Sequence, residues 1–141
     1  MQQFIEFIGN HYLLAGGWLI LFFAILFSFI SSKFSAIKDL GTHEATMLMN
    51  KEDALVLDIR SQADFKKGHI LGSKSLKSEL VNKADFSSLE KYKNTPIIVV
   101  CAMGMTAKKT ASQMLKAGFT QVNVLKGGIA AWQGANLPIS K

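Results

Sequence analysis

The sequence predicts an α/β fold, a parallel sheet flanked by helices, preceded by one membrane-crossing helix. Three observations predict it. The run Tyr12 to Ile30, YLLAGGWLILFFAILFSFI, carries no charge, and as a helix it spans about 28 Å against a bilayer core of about 30 Å. Beyond it, short apolar runs at Ala54–Leu57, Pro96–Val100 and Val122–Leu125 alternate with segments of helical periodicity. The clearest of these runs, Pro96–Val100, lacks the in–out alternation of a half-exposed strand, as expected of a strand covered on both faces of a parallel sheet.

In chain order, residues 1–11 read as a short extracytoplasmic leader and residues 12–32 as the transmembrane helix. Residues 33–40 read as a tether and first strand, and residues 41–141 as the globular domain. A buried helix is the alternative for the apolar run, but it would need protein around its whole circumference. A cleaved signal peptide fits less well than an anchor. No Lys or Arg precedes the run, its apolar part is long, and Ser31-Ser32-Lys33-Phe34-Ser35-Ala36 offers no clean small-residue cleavage site. Lys33 and Lys38 follow the span, so the positive-inside rule puts the amino terminus outside and the domain in the cytoplasm, at the inner membrane. Tyr12 suits the interface, and Ser31 to Ile37 form the tether.

Within the domain, Thr42 is the expected cap of a helix carrying Glu44 in its first turn and an inner stripe of Ala45, Leu48 and Met49. Ala54–Leu57 is a buried strand ending at Asp58. Ser61 caps a short helix that Gly68 stops after Lys67. The polar stretch from Ser73 to Thr95 holds one or two short helices, with Leu80, Val81, Phe86 and Leu89 inward. After the strand at Pro96–Val100, a helix beginning near Thr106 or Ala107 buries Ala107, Ala111, Met114 and Leu115, and Gly118 ends it. Val122–Leu125 is the last long strand, followed by Gly127-Gly128 and a short helix through Trp132.

Composition narrows the function. The chain has 141 residues and a net charge of +6, and every Lys and Arg lies from Lys33 onward. The lysines are scattered among acids and Arg60 is the lone arginine, a pattern unlike a nucleic-acid face. The single cysteine excludes an internal disulfide, a Cys-rich zinc site and a CxxC redox centre, and fits a reducing compartment. No metal or cofactor is expected.

That cysteine is Cys101, the first residue after the clearest strand, in VVCAMGMTAKK. Ligands of open parallel sheets collect beyond the carboxyl ends of the strands. Gly104 lets the loop curl so that successive N–H groups face one point, and the start of the next helix favours an anion there. Residues alone leave a buried structural thiol and a reactive thiolate about evenly matched.

Several motifs resemble the rhodanese family at matching spacings. Leu57-Asp58-Ile59-Arg60 resembles its D-x-R after a central strand. The run from Phe65 through Gly68-His69-Ile70 to Gly72-Ser73 resembles its F-x-x-G-H-I-x-G-S/A. The segment from Gly118-Phe119 through Leu125, Gly127-Gly128 and Ile129 to Trp132 resembles its G-F-x-x-V-x-x-L-x-G-G-x-x-x-W, and Leu137-Pro138 its usual ending. With the apolar helix, the whole chain resembles a membrane-tethered, single-domain form of that family. The resemblance implies a sulfurtransferase whose nucleophile is Cys101, carried as a persulfide. It implies a substrate-binding loop of Ala102, Met103, Gly104, Met105 and Thr106, with Arg60 helping to receive an anionic donor. From the residues themselves, Asp58 and Arg60 read first as a salt bridge or loop brace, and His69 as a hydrogen-bonding structural support.

One departure stands out. Many thiosulfate-using relatives carry a basic side chain in this loop, and positions 102 to 106 here carry none. A bulkier or protein-borne persulfide donor is therefore expected beside small sulfane-sulfur donors. The alternative function is a weakly or non-catalytic module that binds a membrane protein partner. A thiol phosphatase is a third reading that fits poorly, because its phosphate cradle needs an arginine and none follows Cys101.

Overall fold

The computed structural model describes residues 1–34 and 37–141, without the side chains of residues 30–34. It divides into two units, Met1–Ser35 and Ala36–Lys141. The part of the expected tether at residues 35 and 36 lies outside the described residues.

The first unit holds α1 (Gln2–Asn10) and α2 (Tyr12–Phe34). The segment read as a leader is therefore mostly helix, because Phe4, Ile5, Phe7 and Ile8 recur at helical spacing. The break between the helices is His11, at φ −131° and ψ 48°. Within α2, Tyr12–Phe29 is long and apolar enough to cross a membrane, and none of it is buried by protein.

The second unit runs β1 (Lys38–Leu40), α3 (Thr42–Glu52), β2 (Leu55–Asp58), α4 (Gln62–Lys67), β3 (His69–Ile70), β4 (Lys74–Ser75) and α5 (Ser78–Asn82). A 3-10 helix (Ser87–Tyr92) follows, then β5 (Ile97–Val100), α6 (Met105–Lys116), β6 (Val122–Leu125), α7 (Gly128–Gly134) and β7 (Ile139–Ser140). The main sheet has the order β1-β6-β5-β2-β4. All its pairings are parallel, with Leu57 beside Val99 and Val99 beside Val124.

Every residue of β2, β5 and β6 is buried. Successive side chains on a strand point to opposite faces, so these strands feed two cores. Leu55, Leu57, Ile97, Val99, Val122 and Val124 pack with Ala107, Ala111 and Met114 of α6 and with Phe86, Leu89 and Phe119. Val56, Ile98, Val100 and Leu125 pack on the other face with Ala45 of α3 and Ile129 and Trp132 of α7. Covering both faces removes the in–out alternation that a half-exposed strand would show.

Local signals meet the structure closely. The Ser61 hydroxyl accepts from the Asp64 N–H, and Gly68 ends α4. Helix α6 ends in a Schellman motif. Gly118 takes φ +100°, its N–H donates to Leu115 O at 3.2 Å, and the Phe119 N–H donates to Met114 O at 3.2 Å. Three details differ. The cap of α3 is Gly41 rather than Thr42, because the Gly41 N–H is received by the Glu44 carboxylate at 3.0 Å. Helix α6 begins at Met105, one residue early, and its buried face includes Thr110, with Leu115 only partly buried. The short strands β3, β4 and β7 have no sequence periodicity to announce them, and β3 and β7 make a separate antiparallel pair.

This topology creates a crevice. After β2 the chain moves outward to β4 on one side, and after β5 it moves to β6 on the other. The carboxyl ends of β2 and β5 therefore flank the switch point, where open α/β sheets take their ligands. Asp58 ends β2 and Cys101 follows β5.

Candidate active site

Cys101 is 7% exposed. Its sulfur accepts a hydrogen bond from the Gly104 N–H at 2.9 Å. Gly104 is the N-cap of α6 and sits at φ +93°, so the chain turns back over the sulfur in a conformation that disfavours a side chain.

The loop is held from behind by α7. The first N–H groups of a helix have no partner within it. Here the Ile129 N–H donates to Cys101 O at 2.9 Å, and the Ala130 N–H donates to Ala102 O at 3.3 Å. Because a trans peptide points its C=O and N–H in opposite directions, the N–H groups of Ala102 and Met103 are turned away from α7. The close approach needs Gly128, where a Cβ would collide with Cys101 O and lie 2.8 Å from the Ala102 carbonyl. A Cβ on Gly104 would lie 3.1 Å from the Gly127 nitrogen. The glycine pair thus seats the thiol loop. The Gly-Gly dipeptide was the visible signal, but its distance from Cys101 in sequence conceals that contact.

The other expected residues fall into two sets. Ala102, Met103, Met105 and Thr106 are exposed, the two methionines at 72% and 85%. Asp58 and Arg60 form a brace at the end of β2. Arg60 Nε donates to Asp58 Oδ1 at 3.0 Å and Oδ2 at 3.1 Å, and Nη2 to Oδ2 at 2.7 Å. The Arg60 N–H also reaches Asp58 Oδ1, and Nη2 donates to Gly68 O at 2.8 Å. Arg60 is thereby committed to Asp58 and to the end of α4, which leaves little of it to receive a donor. His69 Nδ1–H donates to Phe65 O at 2.8 Å, and its ring stacks on Phe65 with centroids 3.8 Å apart. These bonds fix the turn into β3. Trp132 is buried and donates to Pro138 O at 3.1 Å.

A cleft of about 400 Å³ runs along the outside of the loop, lined by Met103, Gly104, Met105, Lys108, Lys126 and Gly127 among others, but not by Cys101. Asp39 also lines it and pairs with Lys108 at 2.9 Å. Asp39 and Lys126 had no sequence signal tying them to the loop: β1 pairs with β6 to bring Asp39 there, and Lys126 follows β6, which pairs with β5. Among the described residues, no three His, Cys, Asp or Glu side chains gather to hold a metal ion.

The rhodanese-like domain model matches residues 42–135. Over 139 residues the chain is 44% identical to YibN of Escherichia coli strain K12, covering 99% of this chain and 97% of that one. It is 37% identical over 100 residues to the thiosulfate sulfurtransferase GlpE of Pseudoalteromonas translucida, covering 71% and 92%. The solution structure of the rhodanese-like domain of the Anabaena protein Alr3790 superposes with a TM-score of 0.60 at 29% identity, covering 72% of this chain and 77% of that one. A parallel sheet switched between β2 and β5, a thiol just beyond it and a family match over residues 42–135 lead to one assignment: the chain belongs to the rhodanese-like domain family.

Proposed function

We propose that this protein is a membrane-anchored sulfurtransferase that moves sulfane sulfur through a persulfide on Cys101. The observation that carries the reading is the Gly104 N–H directed at the Cys101 sulfur, in a loop whose carbonyls are tied to α7. Amide donors fixed in place stabilise negative charge on sulfur without reorganising. The Cys101 thiolate attacks the outer sulfur of the donor, the donor's S–S bond breaks, and sulfite or a thiolate departs with the bonding pair. An acceptor thiolate then attacks the outer sulfur of the persulfide, and the Cys101 thiolate leaves. This is double displacement at a nucleophile activated by its setting.

The loop side chains supply no cation, and Arg60 and Lys108 are paired with Asp58 and Asp39. Beside the sulfur, anion recognition therefore rests on peptide N–H groups, with Lys126 in the adjoining cleft, and this favours a persulfide carried on a larger molecule over the thiosulfate dianion. Helix α2 serves as the anchor. With Lys33 and Lys38 on its domain side, the amino terminus lies outside and the domain in the cytoplasm, at the inner membrane. The second reading, a module that binds a membrane protein partner with little turnover, draws on the exposure of Met103 and Met105.

Intact mass after brief exposure to thiosulfate or to a protein persulfide separates the two. Gain of one sulfur atom, absent in Cys101→Ser, supports transfer. No gain from either donor, with partner binding retained in Cys101→Ser, supports the module. Release of the intact protein by alkaline carbonate would overturn the anchor.

A further inference from the structure

Helix α1 is split cleanly by chemistry. At 100° per residue, Phe4, Ile5, Phe7 and Ile8 fall within one arc, and Gln2, Gln3, Glu6 and Asn10 within the opposite one. All four apolar side chains are at least half exposed, and α1 buries none of its residues. Such a face is not stable in water.

The break at His11 lets α1 leave the axis of α2. In a straight helix Phe4 and Leu19 would stand about 22 Å apart along the axis. Instead Phe4, Phe7 and Ile8 share one groove with Ala15, Trp18 and Leu19, a space of about 770 Å³ in which Gln3 is the only polar lining residue. The groove shares Ala15, Trp18 and Leu19 with the apolar span Tyr12–Phe29, none of which is buried inside the protein.

We infer that α1 is an interfacial helix, lying at the headgroup boundary of the leaflet where α2 begins, with lipid acyl chains filling the groove between the two helices. This rests on the anchor reading of α2. Lipid is the occupant because the groove shares these residues with the apolar span, and a span in a bilayer brings acyl chains to them. Helix α1 has no Lys or Arg, so its insertion is driven by apolar burial rather than by attraction to anionic lipid.

The test uses the full-length chain in Cys101→Ser background, with single cysteines at Gln2→Cys, Phe4→Cys, Glu6→Cys, Ile8→Cys and Leu21→Cys. Each carries an environment-sensitive fluorophore, in phosphatidylcholine vesicles. Positions 4 and 8 should emit blue-shifted light and be quenched several-fold by lipids with a shallow nitroxide. Positions 2 and 6 should answer to an aqueous quencher, and position 21 to a deep nitroxide only. Adding anionic lipid should change these values less than about twofold. Positions 4 and 8 as wet as 2 and 6, with 21 still deep, would overturn the inference and leave the anchor standing. Positions 4 and 8 shielded from water yet untouched by any lipid nitroxide would overturn it in favour of a second protein chain in the groove. A wet position 21 would sink both the anchor and the inference.

Discussion

Two loops meet at the switch point of the sheet, and they are built from different materials. The loop after β5 is held by peptide groups and by the lack of side chains at Gly104 and Gly128. The loop after β2 is held by charge, with Arg60 clasping Asp58 and the carbonyl of Gly68. For the proposed transfer chemistry, donors that carry no net charge and cannot swing away suit a sulfur that gains and loses charge. A brace has no such constraint, and an ion pair with several hydrogen bonds fixes it more firmly than one amide.

The widest break in that comparison comes from putting a side chain where the first loop excludes one. Gly128→Ala should destabilise the domain by about 3 kcal/mol or more, since φ +60° and the collision with Cys101 O act together. Sulfur uptake, read by intact mass, should fall at least about 100-fold in whatever folds, because the loop is displaced. Next, Asp58→Asn should destabilise by about 3 kcal/mol by leaving the largely buried Arg60 charge unpaired. Asp58→Asn with Arg60→Met should recover much of that in urea unfolding, and the sulfur should still load, which would confirm that this loop supports and does not react.

A smaller effect sharpens the contrast from the solvent side. Met103→Ala with Met105→Ala should move stability by no more than about 0.5 kcal/mol, as both side chains are exposed. The same pair should slow loading from a protein persulfide more than from thiosulfate.

The smallest effect lies outside the site, in another loop held by a side chain. The Ser87 hydroxyl, and then its N–H, donate to Asp85 Oδ1 at 2.7 and 3.1 Å, holding that carboxyl below its ordinary value. A carboxyl lowered on folding stabilises above the unfolded carboxylate range, and the gain is lost as pH falls through the folded value. Ser87→Ala should return Asp85 toward the ordinary range by NMR titration. Its small difference in melting temperature from the parent should vanish in acid.

How much of this was legible in the sequence depends on the range of the signal. Ser61, Gly68 and Gly118 act within one turn of themselves, and each was readable where it stands. The strands β2, β5 and β6 were readable because burial on both faces leaves an unbroken apolar run. Strands β3, β4 and β7, of two residues each, exist only because a partner strand lies alongside. In the site, Cys101 and its loop were visible from the strand before and the glycine within. The seat on Gly128, 27 positions away, was visible only as a repeated glycine with no stated purpose. Arg60 shows the converse: its place beside Asp58 pointed to a brace and the family resemblance to donor binding, and the brace is what the guanidinium makes.

Strand β1 carries a mechanical consequence. It is the first described strand after the membrane-type helix, it lies at the sheet edge, and only three residue pairs join it to β6. Any pull transmitted along the backbone from a tethered end reaches those pairs, the Lys126 N–H to Leu40 O bond and the Asp39–Lys108 bridge before it reaches β5. Because Asp39 and Lys108 also line the cleft beside the thiol loop, a disturbance of this edge strand reaches the surface next to the Cys101 loop as well.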